Sequence, residues 1–245
     1  MTVRVASLLE LDLPDGGVCA LTGAGISVAA GLGTFRGADG AWTIDPELEE
    51  AMHADHLPGN VDLMWAFWGG MRVRAEAVGP TPAHRALAFI GARVLTQNVD
   101  GLHVDAGSER VVELHGSAGR ARCLAWCGWV GAAADARALA DADGRPHCPG
   151  CGRLARPDVV LFGEPLDEGD LRAAAGAVTS AALFLSVGTS GRVAPASWLG
   201  PMARAAGAFC VTVDPNPVDD PGPFHAQVVG DAQELLAEWA AAARR

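Results

Sequence analysis

The 245-residue chain contains no lysine and no tyrosine, and all 18 of its basic residues are arginine. The pattern fits a GC-rich coding bias. One consequence is chemical: the protein cannot be modified on lysine side chains of its own. A basic surplus is also lacking. The net charge is −11, which argues against a nucleic-acid footprint and suits a cationic partner such as a basic peptide. No long apolar run goes unbroken. The charge-free window 173–191 is interrupted by Gly176, Thr179, Ser180, Ser186 and Gly188, so helix, turn and strand fit it better than a membrane span. Residues 1–17 lack the continuous apolar stretch of a secretory signal, and a cytoplasmic location with no membrane association is expected. What is abundant is apolar residue, 50% of the chain, enough for a full core.

Five short apolar runs end in small or polar clusters, at Gly23, Thr96, His115, Gly188 and Asp214. Each reads as a buried strand. The first leads into Gly23-Ala24-Gly25-Ile26-Ser27, where backbone can approach a phosphate closely. A third fingerprint glycine is missing, because Val28 stands in its place, so the signal is weak alone. Gly31 to Trp42 follows as a glycine-rich loop carrying Phe35 and Arg36. The second run reaches Gln97, Asn98, Asp100 and His103, and the third reaches Glu113 and His115, so two strands aim an amide, a carboxylate and an imidazole at one place. Ligands of open α/β sheets bind outside the carboxyl ends of the strands. Residues 46–79 read as helical with breaks, and Pro80 and Pro82 introduce a further helix whose first turn holds His84 as a structural residue.

Cys19 and Cys210 lie inside apolar strands and are expected to be buried small residues. The other four cysteines form two short-spaced pairs, Cys123/Cys127 and Cys148/Cys151, a donor set suited to tetrahedral Zn²⁺. Four thiolates leave no open position, so the metal is expected to be structural; a redox pair is the alternative, and nothing nearby favours it. The expected fold is α/β: a Rossmann-like parallel-sheet domain with a small zinc-binding module and a helical insertion. In one domain, 1–245, the Rossmann-like part takes about 1–35, 81–118 and 157–245, the insertion about 36–80 and the zinc module about 119–156.

Taken in order, these motifs, with Arg156 to Glu164, Gly188-Thr189-Ser190 and Val193 to Ala196, resemble the sirtuin family of NAD-dependent protein lysine deacylases. The resemblance covers roughly residues 17–232. It implies NAD as co-substrate, acyl-lysine proteins or peptides as partners, one structural Zn²⁺, and release of nicotinamide and O-acyl-ADP-ribose. Carried over by position, Gly23, Ala24, Gly25, Ser27, Phe35 and Arg36 resemble the phosphate and nicotinamide-side contacts, and Gln97 the ribose contact. Asn98 and Asp100 resemble the nicotinamide-pocket residues, and His115 the catalytic base. Gly188, Thr189, Ser190, Asp214, Asn216 and Ala232 resemble the adenosine-end contacts. Val160, Phe162, Gly163, Glu164 and Val193 resemble the backbone clamp for the peptide.

Three departures stand out. Gly33 occupies a position where the family loop usually has proline, which loosens that loop. Thr34 matches the branch resembling the desuccinylases, yet that branch's Tyr-x-x-Arg pair reads Trp68-Gly69-Gly70-Met71 here, so a neutral acyl group is expected over succinyl; Arg72 could substitute only if the register shifted. Asp214 stands where asparagine is commoner. The competing functions are protein ADP-ribosyl transfer and a non-enzymatic NAD-binding interaction module. Retention of Asn98, Asp100 and His115 disfavours the second.

Overall fold

The computed structural model describes residues 2–189, 191, 193–217 and 222–243. Its strands, in chain order, are β1 (Val3–Val5), β2 (Val18–Thr22), β3 (Arg93–Thr96), β4 (Val111–Glu113), β5 (Gly116–Cys123), β6 (Val130–Ala132), β7 (Ala155–Val159), β8 (Leu183–Val187), β9 (Phe209–Asp214) and β10 (Ala226–Val229). Seven of them form one sheet in the order β1-β10-β9-β8-β2-β3-β4, and every pairing in it is parallel. From β2 the chain winds outward through β3 and β4, and β8 starts the other half on the opposite side. The strand order therefore reverses between β2 and β8, and a crevice opens there at the carboxyl ends. The five expected strands lie side by side in this sheet. The outer pair, β1 and β10, lies outside the five expected strands.

Alternation along the strands assigns their faces. Ala20, Val94, Leu185 and Val211 pack with Leu87 of α4 (Pro82–Phe89) and Leu236 of α9 (Ala232–Ala242), where α1, α2 and α3 are Ala41–Ile44, Pro46–Ala51 and Val61–Val78. Cys19, Leu21, Leu95, Phe184 and Cys210 pack on the opposite face with Val178 of α7 (Glu168–Thr179) and Ala203 of α8 (Leu199–Ala205), after α5 (Leu102–Asp105) and α6 (Ala133–Arg137). Cys19 and Cys210 are fully buried, and burial pushes their thiols up to about 12 and about 11, which leaves them inert.

The second sheet is antiparallel, in the order β6-β5-β7, and carries the four remaining cysteines at its far end. It leans on α3: Trp65 Nε1–H donates to the Ala155 carbonyl at 2.9 Å, and the Arg137 guanidinium sits 5.1 Å over the Trp65 ring. Arg120 bridges Glu113 of β4 to Asp158 of β7, tying this sheet to the edge of the large one. No helix among the described residues is long and apolar enough to cross a membrane.

His84 and His103 meet behind the crevice with ring centroids 4.5 Å apart. Thr81 caps α4 and completes a capping box with His84, while His103 Nε2 shares a hydrogen bond of 2.9 Å with Thr22 Oγ1. Burial, helped by the Arg85 charge, pushes His84 down to about 4, and burial beside His84 holds His103 well below the usual range. Unfolded, both imidazoles titrate near the ordinary value of about 6.5, so between there and about 4 the unfolded chain binds more protons than the folded one. Stability is therefore full above about pH 6.5 and is lost as pH falls toward 4. Thermal melts over that window should show the Tm falling, with a shallower slope for His84→Gln; equal slopes for the two proteins would mean that His84 is not held neutral.

Candidate active site

Two glycine turns meet at the crevice. Gly25 N–H donates to the Gly188 carbonyl at 2.9 Å, and a Cβ on Gly25 would lie 2.7 Å from Gly188 Cα. Gly188 itself has φ +56, and its own Cβ would meet the Ile26 nitrogen at 2.6 Å. Only glycine lets the ends of β2 and β8 approach this closely. Gln97 closes the third side: its backbone N–H donates to the Thr22 carbonyl, and its Nε2–H donates to Thr189 Oγ1 at 2.7 Å. Ser190 lies outside the described residues.

Behind Gln97 the polar groups form a directed chain. Asn98 Nδ2–H donates to the Gly23 carbonyl and to Ser27 Oγ, each at 3.1 Å, and the Ser27 hydroxyl donates to Asp100 Oδ2 at 2.7 Å. Asp100 Oδ1 accepts from the Leu102 N–H at 2.9 Å. Burial raises the Asp100 carboxyl above its ordinary value, opposed by those two donors and by the Arg72 charge. Asn98, Ser27 and Asp100 are all buried. They line a cavity of about 110 Å³ together with Phe35, Met71 and Arg74.

His115 stands across the crevice at the end of β4. Its Nδ1 lies 2.9 Å from the Gln97 carbonyl oxygen, which only accepts, so Nδ1 carries the proton and Nε2 presents a lone pair. Burial lowers the pKa of His115, partly offset by that hydrogen bond. The ring is therefore neutral at pH 7 and able to accept a proton.

The other expected contacts are distributed around this centre. Phe35 stacks on Trp42 at 5.3 Å, and Arg36 pairs with Glu49 of α2 at 2.9 Å. Asp214 Oδ1 accepts from the Asn216 N–H, which fixes the turn after β9, and Ala232 is buried in the first turn of α9. Val160 N–H donates to the His115 carbonyl, so the 160–164 segment begins directly beside the imidazole. Phe162 spends both backbone groups on Met52 and Ala54. The Glu164 carboxylate pairs with the buried Arg156 at 2.6 Å and accepts from the Leu161 N–H. Val160 C=O and the backbone of Gly163 make no hydrogen bond among the described residues. Val193 accepts from the Ser197 N–H with its carbonyl.

One polar residue at the site, Arg74, carried no motif signal. Arg74 reaches the cavity because Phe67, Met71 and Arg74 follow i, i+4, i+7 along α3, a stripe legible only once the cavity is known. Arg72 is held away from it, donating to the Asp100 carbonyl at 2.6 Å and pairing with Asp105 and Glu76. Arg72 is therefore not among the residues that line the cavity.

Cys123, Cys127, Cys148 and Cys151 present four sulfurs within 4.8 Å of one another. The Cys123–Cys151 and Cys127–Cys148 Sγ pairs are each 3.5 Å apart. Tetrahedral zinc with bonds near 2.3 Å wants sulfurs about 3.8 Å apart, so the donor set fits that ion. His147 turns away, bonding to the Gly152 carbonyl and Asp141.

Comparison with known proteins agrees with this geometry. The sequence model of the Sir2 family matches residues 23–195. The chain is 43% identical over 209 residues to an NAD-dependent protein deacylase of Thermus thermophilus, covering 82% of this chain and 80% of that protein. It is 43% identical over 234 residues to NAD-dependent protein deacylase 1 of Pseudomonas aeruginosa, covering 89% and 90%. A crystal structure of a Sir2 homologue–NAD complex superposes with a TM-score of 0.82 at 32% identity, over 93% of this chain and 89% of that one. A Sir2–p53 peptide–NAD⁺ structure superposes with a TM-score of 0.72 at 29% identity, over 92% and 91%. With strand order, crevice and family match in agreement, the chain belongs to the Sir2 family, the sirtuins.

Proposed function

We propose that this chain is an NAD-dependent protein lysine deacylase, which transfers the acyl group of an acylated lysine to ADP-ribose and releases nicotinamide. The observation that carries the reading is the His115 tautomer: Nδ1–H is spent on the Gln97 carbonyl, leaving Nε2 as a neutral base at the crevice. Relatives named NAD-dependent protein deacylase and relatives solved with NAD support it.

In this reading the 23–27 turn, with Phe35 and Arg36, holds the phosphate and nicotinamide side of NAD, Gln97 the ribose, and residues 188–190, 214, 216 and 232 the adenosine end. NAD supplies the electrophilic carbon. Asn98 and Asp100 orient the carboxamide from a buried, hydrogen-bonded frame that needs no reorganisation when ligand arrives. His115 takes the proton from a ribose hydroxyl, the step its neutral Nε2 suits. The peptide enters as an added strand between Val193 and the 160–164 segment, where Val160 C=O and Gly163 remain open for its backbone.

The acyl end is proposed to be neutral. At the position of the desuccinylase-like branch's arginine the cavity presents Met71, and Arg72 is committed elsewhere. Arg74 is exposed, and an exposed ion pair contributes only about 0–1 kcal/mol.

The test is mass spectrometry of protein mixed with NAD and matched acetyl-, butyryl- and succinyl-lysine peptides. O-acyl-ADP-ribose from the acetyl or butyryl peptide is expected. ADP-ribose attached to protein would favour the transferase, and absence of NAD consumption with every peptide would overturn the enzymatic reading.

A further inference from the structure

The Ile26 carbonyl, inside the first glycine turn, accepts two side-chain hydrogen bonds from behind the crevice. Thr81 Oγ1 reaches it at 3.3 Å and Gln233 Nε2 at 3.1 Å. The other end of the Gln233 amide, Oε1, accepts from the Ala83 N–H at 3.1 Å, one of the first-turn donors of α4 that has no partner within its own helix. Half-buried Gln233 thus joins three elements with one side chain: α9, the start of α4 and the 24–30 turn.

Peptide geometry gives this a functional consequence. Ile26 C=O and Ser27 N–H belong to one planar trans unit and point in opposite directions. A carbonyl held from behind fixes the Ile26–Ser27 peptide plane within the 24–30 turn, whose Ser27 hydroxyl meets Asp100 and Asn98 at the crevice. Gln233 also directly follows Ala232, so one turn of α9 touches both the adenosine end and the back of the phosphate turn.

We infer that Gln233 is a positioning residue for the co-substrate: it sets the peptide plane of the phosphate turn and couples it to the adenosine end. The inference rests on reading residues 23–27 as the phosphate contact. Gln233→Met keeps the length and removes both hydrogen bonds. Its KM for NAD should rise about fivefold to tenfold, from the loss of two ordinary hydrogen bonds, while kcat at saturating NAD and KM for the peptide stay within about twofold. Gln233→Glu keeps the acceptor for Ala83 N–H but loses the donor to Ile26 and should raise KM for NAD as well. Calorimetry with ADP-ribose gives a readout independent of turnover, with weaker binding expected in both variants. An unchanged NAD KM and ADP-ribose affinity in Gln233→Met would overturn the inference, as would a parallel fall of kcat and Tm with both KM values. Wild-type protein that binds ADP-ribose without deacylating would instead count against the proposed reaction. Should Gln233→Met not fold, Gln233→Glu carries the same comparison.

Discussion

His115→Ala is expected to lower deacylation by about 10²–10⁴-fold, the usual contribution of a positioned general base, while leaving the fold in place. The half-buried ring makes one hydrogen bond to backbone, worth about 1 kcal/mol, and its neighbours along β4 and β5 are held by their own ladders. Thermal melting should therefore change little and ADP-ribose binding should survive. In the wild type, kcat/KM should be flat at neutral pH and fall in acid, where Nε2 becomes protonated. Because burial lowers the His115 pKa, that limb should lie below the ordinary imidazole value of about 6.5. Turnover by His115→Ala within tenfold of wild type would remove the base assignment. An acid limb that persisted unchanged in the residual activity of the variant would assign it to another group.

Much of this centre is legible in the sequence because short elements place it. Asn98 and Asp100 directly follow β3 and His115 follows β4, so strand ends alone bring them together, and the glycines at 23, 25 and 188 mark where backbones must nearly touch. The four cysteines declare themselves by spacing. Contacts set by tertiary packing are a different matter. That Arg72 turns to Asp105 and Arg74 to the cavity depends on how α3 rotates against the sheet, which an 18-residue helix with two central glycines and apolar residues on several sides does not specify. Glu164 belongs to the segment expected to clamp the peptide through its backbone, and its carboxylate pairs with Arg156, a buried cation whose partner no local pattern announces. Gln233 is likewise invisible, since its partners lie at residues 26 and 83.

Cys148→Ala is expected to have the largest structural effect of any single substitution in the chain outside the large sheet. The zinc lobe has a small core of its own: its buried cluster is Ala121, Ala133, Ala136 and Ala155 with the cysteines, packed on Val61 and Trp65 of α3 and flanked by the partly buried Leu57, Leu124 and Trp129. Alanine methyls offer a small apolar area, whereas a closed four-thiolate site contributes roughly 10–16 kcal/mol of apparent binding energy in zinc-finger peptides. Cys148 is the buried ligand on the second turn, and its loss leaves three thiolates, two of them exposed. Metal content should drop from one zinc per chain to well below it, and limited proteolysis should open sites within residues 124–153. The damage should reach the chemistry, because β5 starts one residue after His115 and β7 runs into the 160–164 segment, so the strand end that carries the proposed base and one side of the proposed peptide site are extensions of the lobe. ADP-ribose binding should fall less than deacylation, since the turns at 23, 188 and 214 hang from strands that the lobe does not support. Cys19→Ala is the control: it should leave zinc content unchanged. A Cys148→Ala protein that retained one zinc and the wild-type cleavage pattern would show that alanine packing and the Trp65 and Arg120 contacts hold the lobe without the metal.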